Sequence, residues 1–184
     1  MKKEILTSFS IILLSMALFF SCKKDVSRGI EIMNYYKPIV DNTPVVAPCE
    51  SSLANNTVYP ATSASFSGNI SVSNNSNFNE IRMDSYSTYE KITIYLPGGL
   101  WPTKDKKYTL IHSTSTPSPS ANEAVIMYKA GNYFTSYYYY SLSGSLYVNV
   151  TATGFKLTFC DIPIEETTGT FNSTTIEGKI SVTL

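Results

Sequence analysis

Residues 123–162 restrict the fold more than any other part of the chain. Apolar and polar side chains alternate in four short runs, at 123–129, 132–141, 144–152 and 154–161, cut by Gly131-Asn132, Ser143-Gly144 and Thr153-Gly154. A period of two belongs to a strand with one buried face, and turns this short join antiparallel neighbours. The stretch predicts an antiparallel meander.

The same alternation recurs on both sides of it. At 64–73, Phe66, Gly68, Ile70 and Val72 alternate with polar residues; Asn74-Asn75-Ser76-Asn77 makes a turn, and a weaker strand follows at 78–84. At 89–96, Ile92, Ile94 and Leu96 point inward until Pro97-Gly98-Gly99 ends the run. A strand at 108–114 holds the only histidine, His112, and the last, at 175–184, buries Ile176, Ile180, Val182 and Leu184. Residues 51–63, 100–107 and 115–122 are polar or proline-rich connections. About nine short strands and no segment of helical period predict an all-β fold, an antiparallel β-sandwich, with a barrel as the alternative closure. Three strands share a spelling, Gly68-Asn-Ile-Ser-Val72, Gly144-Ser-Leu-Tyr-Val148 and Gly178-Lys-Ile-Ser-Val182. Five residues do not make a repeat; they record a flexible entry followed by two inward apolar positions.

The N-terminus has a different character. Lys2 and Lys3 precede an apolar run at 5–20, broken by Ser8, Ser10 and Ser15. It falls short of the roughly 20 apolar residues of a membrane-spanning helix and reads as the core of a secretory signal. Phe19-Phe20-Ser21-Cys22 resembles the lipobox of bacterial outer-membrane lipoproteins, and Cys22-Lys23-Lys24-Asp25 resembles the mature start of those from Bacteroidota-type bacteria. The resemblance implies a signal peptide at 1–21, cleavage before Cys22, acylation of that cysteine (palmitate among the lipids), and a lipidated tether at 22–50 ahead of a domain at 51–184. It implies a membrane partner through the lipid and a place at the outer membrane, with the periplasmic and surface leaflets both open. Gly144-Ser-Leu-Tyr-Val-Asn-Val and Gly154-Phe-Lys-Leu-Thr-Phe, closing on Gly178-Lys-Ile, are similar to the C-terminal half of β-sandwich lipoproteins of immunoglobulin-like build from the same bacteria. That likeness brings no active-site residues with it.

Composition excludes some classes of function. The formal charge is zero, or minus one once Lys2, Lys3 and Glu4 are removed with the signal, so there is no basis for neutralising a nucleic acid backbone. Cys49 and Cys160 are the cysteines left beside Cys22, and an exported chain lies where disulfides persist. A Cys49–Cys160 bridge is expected, with two buried thiols as the alternative. With Phe155, Leu157 and Phe159 facing the core, Cys160 shares the outer face with Lys156 and Thr158, so the bridge would clamp the N-terminal arm to the outside of the sheet. Two cysteines and one histidine do not supply the usual four-ligand metal set, and no cofactor motif is present.

Catalysis is poorly provisioned. His112 is the only histidine available as a base and, in line with Tyr108 and Leu110, reads as a structural residue. Glu165 and Glu166 point apart if extended, while Asp161 and Glu177 sit at strand ends; all four read as solvated rims. Tyr133, Phe134 and Tyr137-Tyr138-Tyr139-Tyr140 place large rings on both faces of one strand. One face must lie outside the core. Tyr133, Tyr137 and Tyr139 share a side and, with Trp101, are the candidate binding residues, as stacking platforms for a glycan or contacts for a protein. Cross-strand packing for the tyrosines, and a plug at the end of the sandwich for Trp101, are the structural alternatives. The expected function is that of a non-catalytic envelope lipoprotein binding a glycan or a protein, the alternative an accessory subunit of an outer-membrane assembly.

Overall fold

The structure, a computed structural model, describes residues 45–114, 117–167 and 172–184. The expected signal peptide, Cys22 and the expected tether as far as residue 44 lie outside the described residues. The fold is all-β, as the alternation requires. Ten strands form one mixed sheet: Thr57–Pro60 (β1), Gly68–Asn74 (β2), Phe78–Ser85 (β3), Lys91–Pro97 (β4), Lys106–Leu110 (β5), Glu123–Gly131 (β6), Ser136–Ser141 (β7), Ser145–Thr151 (β8), Gly154–Glu166 (β9) and Ser173–Thr183 (β10). The order is β1-β10-β9-β8-β5-β6-β4-β3-β2, with β7 paired to β6 and β9. Every pair is antiparallel except β5 with β6, for which residues 111–122 supply the crossover that a parallel pair requires.

The sheet is folded over so that its strands share one core. Val58 of β1 and Phe66, just ahead of β2, exchange two 2.9 Å backbone hydrogen bonds, stitching the two ends of the strand order together. Val58, Ile81, Ile94, Ile126, Leu157 and Ile180 all belong to one buried cluster. Pairing also closes within the sheet, from β6 through β7, β9, β8 and β5 back to β6.

Several elements differ from expectation. The four runs at 123–161 do not form a simple meander, because β7 and β8 do not pair. Leu142 donates its backbone N–H to Pro163 of β9, while Gly144 accepts from Leu110, so the connection carries the chain from β9 across to β5. Strand β1 lies within the stretch expected to be loop. Four residues ending in proline carry little periodicity, yet Val58 is fully buried and pairing with β10 holds the segment in place. Strand β9 runs on to Glu166 instead of ending at 161. Ile176 opposite Ile162 becomes Gly178 opposite Phe159, so Cys160 and Asp161 stand against the single residue Glu177. Asp161 adopts a left-handed conformation, φ 47°, within this bulge. The extra residue changes the parity of burial from 155, 157 and 159 to 162, 164 and 166. Glu166 is therefore buried rather than part of a solvated rim.

The Cys49–Cys160 disulfide is present, with Cα atoms 5.7 Å apart. Residues 45–53 lie on the outer face of β8 and β9, as the register of Cys160 predicts. Asn149 donates to the Val45 carbonyl at 2.8 Å, Glu50 pairs with Lys156, and Ala47 and Leu53 are buried. Beneath this arm Thr158 is fully buried, its hydroxyl oxygen without a partner. The bridge spans 111 residues of sequence, for which loop entropy gives roughly 4 to 5 kcal/mol of stabilisation as an upper bound. The Cys49→Ser, Cys160→Ser double variant is expected to unfold at lower urea and to be cleaved early by protease within 45–53, with the β-sheet circular dichroism retained. An unchanged urea midpoint would contradict this assignment of stability.

Candidate functional site

Strand β7 decides which tyrosines are available. Its register sets Tyr139 opposite Tyr128 and Glu166, both interior, and the Tyr128 and Tyr139 rings lie 5.8 Å apart. Tyr139 is 8% exposed and part of the core, which removes it from the expected row of Tyr133, Tyr137 and Tyr139. Tyr137 shares that inward face and is exposed because it lies near the strand end. The outward face carries Tyr138 and Tyr140, opposite Lys129 and Met127. Trp101 is half-buried against the core with its ring 5.5 Å from that of Phe155, the plug geometry. Trp101 also lines a cleft of about 250 Å³, together with Leu96, Leu100 and Tyr108. His112 is exposed, just past the end of β5, with its ring edge-on to Tyr140 at 6.5 Å. Among the described residues no group of three His, Cys, Asp or Glu side chains is placed to hold a metal.

The exposed aromatics gather elsewhere, at the end of the sheet formed by the β3–β4 loop and the β6–β7 turn. Tyr89, Tyr133 and Phe134 are 57%, 76% and 91% exposed, and their rings form a chain, Tyr89 to Tyr133 at 6.1 Å and Tyr133 to Phe134 at 5.3 Å. A contiguous cluster of exposed rings is a candidate contact surface. Both supporting loops are tied down. Asn132 Oδ1 accepts from the backbone N–H of Phe134 and Thr135 and from the Thr135 hydroxyl, at 2.9 to 3.0 Å, closing the turn so that its two rings project. Next to Tyr89, the buried Glu90 accepts from Tyr128 (2.6 Å) and Ser63 (2.5 Å) on Oε1 and from Thr88 (2.9 Å) on Oε2. Three hydroxyl donors satisfy a carboxylate that would otherwise be costly to bury.

Below these rings the outward face of β3, β4 and β6 is charged. Asp84, Lys91 and Lys129 are successive partners across the three strands, and Arg82 lies in the next row beside Thr93 and Met127. Arg82, Asp84, Tyr89, Glu90, Lys91 and Lys129 line a cleft of about 220 Å³. Arg82 is engaged by Asp84, Nε to Oδ2 at 2.7 Å. The Lys91 ammonium is held below the usual lysine range, first by desolvation and then by the Arg82 charge, with Lys129 contributing in the same direction.

Sequence reading named Tyr133 in this cluster but missed Tyr89, Phe134, Arg82, Lys91 and Lys129. Treating 132–141 as one strand assigned Phe134 a strand face, whereas it lies in the turn. The charges carried a legible signal, since Arg82, Asp84, Lys91 and Lys129 occupy outward positions of the alternation on three strands. Compared with protein-family models, curated proteins and solved structures, the chain matches none.

Tyr95, further along the outward face, has its hydroxyl pushed up to about 12, foremost by burial and then by Glu80 and Tyr140. Tyr128 moves in the same direction, through burial and then the Glu90 carboxylate. Each folded value lies above the roughly 10 of a free tyrosine, so their stabilising contribution is complete below about pH 10 and is lost as pH rises through the folded values. The urea midpoint is expected to fall steeply between about pH 10 and 12, and Tyr95→Phe to make that fall shallower. Equal slopes in the variant and the parent would contradict the assignment.

Proposed function

We propose that this chain is a non-catalytic bacterial envelope lipoprotein, anchored through Cys22, whose aromatic end binds a glycan. The observation that carries the reading is the exposed ring chain Tyr89–Tyr133–Phe134 beside a charged cleft. Tyrosine and phenylalanine offer flat apolar faces to the C–H faces of sugar rings, and the phenol hydroxyls and neighbouring charges supply hydrogen bonds to sugar hydroxyls. Loops closed by Asn132 and Glu90 hold the rings in place before the ligand arrives, reducing the ordering cost of binding. Trp101 and Tyr139 are packed into the fold and are not part of this surface.

A lipid-anchored accessory subunit is the second reading, favoured by β2. This strand ends the sheet order and, among the described residues, Gly68–Asn74 pairs with β3 alone, which gives an edge beyond the Val58–Phe66 bridge that could take a strand from a partner. Crosslinking in cells that recovers one stoichiometric partner at β2 would replace the glycan reading.

A glycan array probed with the full chain tests the main reading. The Tyr89→Ala, Tyr133→Ala double variant is expected to weaken any bound glycan at least tenfold, the scale of losing two aromatic contacts of about 1 kcal/mol each. Undiminished binding by this variant, with its melting temperature retained, would exclude the aromatic end. Cys22→Ser is expected to shift the chain from the membrane fraction to the soluble fraction, because the acyl chains supply the membrane affinity. Retention of that variant in membranes would exclude the lipid anchor.

A further inference from the structure

Lys91 and Lys129 face each other directly across β4 and β6 on the outward side of the sheet. Such partners have Cβ atoms roughly 5 Å apart, and like charges at that separation disfavour the folded state. Asp84, opposite Lys91 on β3, and Glu80 offset part of this repulsion, but neither forms an ion pair with a lysine of the pair. The described residues contain two ion pairs, Arg82–Asp84 and Lys156–Glu50, and neither Lys91 nor Lys129 belongs to one. Asp84 is directed to Arg82, and Glu90 is occupied by three hydroxyl donors. Both lysines thus line the 220 Å³ cleft with no ion pair of their own among the described residues, next to the exposed ring of Tyr89.

We propose that this cleft is a subsite for the carboxylate of an acidic saccharide, a uronic acid residue whose ring lies on Tyr89 and Tyr133 while Lys91 and Lys129 hold its anionic group. The inference rests on the glycan reading above and adds the class of sugar. Size supports it, since the cleft is below the roughly 300 Å³ at which pockets for drug-sized ligands begin and suits one sugar residue or its charged substituent. Charge balance points to one carboxylate per ring rather than to dense sulfation. Asp84 lines the same cleft, Glu80 stands four positions before it on β3, and the whole chain has zero formal charge, so a heavily charged polymer would meet repulsion at the rim with no long-range attraction to offset it. An anion between the lysines would also offset the Arg82 and Lys129 charges that, after desolvation, lower the proton affinity of Lys91.

The test uses the full chain in affinity electrophoresis against polygalacturonate and hyaluronate, each beside its carboxyl-reduced, neutral form, with heparin as the densely sulfated probe. At least one uronate polymer should retard the chain roughly tenfold more than its reduced form, the scale of one charge-assisted contact, and the preference should shrink as salt rises. Lys91→Ala with Lys129→Ala should abolish the preference for the acidic form while leaving weak retardation by the neutral one. Lys91→Arg with Lys129→Arg should restore it, which separates loss of charge from loss of fold. Equal retardation by acidic and reduced polymers, stronger retardation by heparin than by either uronate, or retardation by none of them would overturn the acidic subsite. So would a preference that survives in the double alanine variant. None of these outcomes touches the glycan reading, which fails separately if Tyr89→Ala with Tyr133→Ala leaves retention of the neutral and acidic polymers unchanged.

Discussion

A strand that alternates strictly can bury only every second residue against one side, and β9, thirteen residues long, would send half of its length to the wrong face if its parity never changed. The bulge at Cys160 and Asp161 makes that change. With it, Phe155, Leu157 and Phe159 on one side and Ile162, Ile164 and Glu166 on the other all point into the same interior. Strand β8 pairs with the first half, β7 with the second, and β10 with both. Were the same residues to run on as a regular strand with no bulge, Pro163 and Glu165 would turn inward, and the second half of β9 would present Ile162 and Ile164 to the outside. The closed circuit of pairing through β5, β6, β7, β8 and β9 therefore depends on one local irregularity.

Local sequence conveyed the strands better than their neighbours in space. Alternation and the Gly-containing turns located nine of the ten strands, because both signals act over a few residues. The partner of each strand depends on contacts distant in sequence, and Ser143-Gly144 looks the same whether it closes a hairpin or, as here, leads from one neighbour to another. Strand β1 stayed hidden because it is four residues long and its two buried positions, Val58 and Pro60, are held by pairing with β10 rather than announced by a longer pattern. The tyrosine run posed a symmetrical question, with rings on both faces. What settled it was the opposing strands: Tyr128 and Glu166 draw Tyr139 inward, while Lys129 and Met127 leave Tyr138 and Tyr140 outward.

The candidate site reflects a division between rigid interior and presented surface. Tyr128 belongs to the core yet its hydroxyl reaches Glu90, so the hydrogen bonds that anchor the β3–β4 loop are rooted in the interior. The backbone step from Glu90 to Tyr89 turns that anchored loop into a display of one exposed ring, and the Asn132 turn does the same for two more. The adjacent charges occupy regular strand positions whose spacing is fixed by backbone pairing. Rings on closed loops and cations on strands form a surface with few internal degrees of freedom, in which long lysine side chains are the adaptable part.

The Cys49–Cys160 bridge also determines how the domain meets mechanical load. Tension applied to the chain ahead of Cys49 passes through the sulfur atoms into β9 and bypasses residues 50–56 and strand β1 altogether. Were the bridge absent, the same pull would reach β1 first, a four-residue strand held mainly by β10, and would begin to peel the sheet from its end. Entering at β9, the load is shared at once with β8 and β10, whose ladders on either side must yield together. The covalent link thereby converts an unzipping geometry into a shearing one, placing the point of traction at the middle of the longest strand.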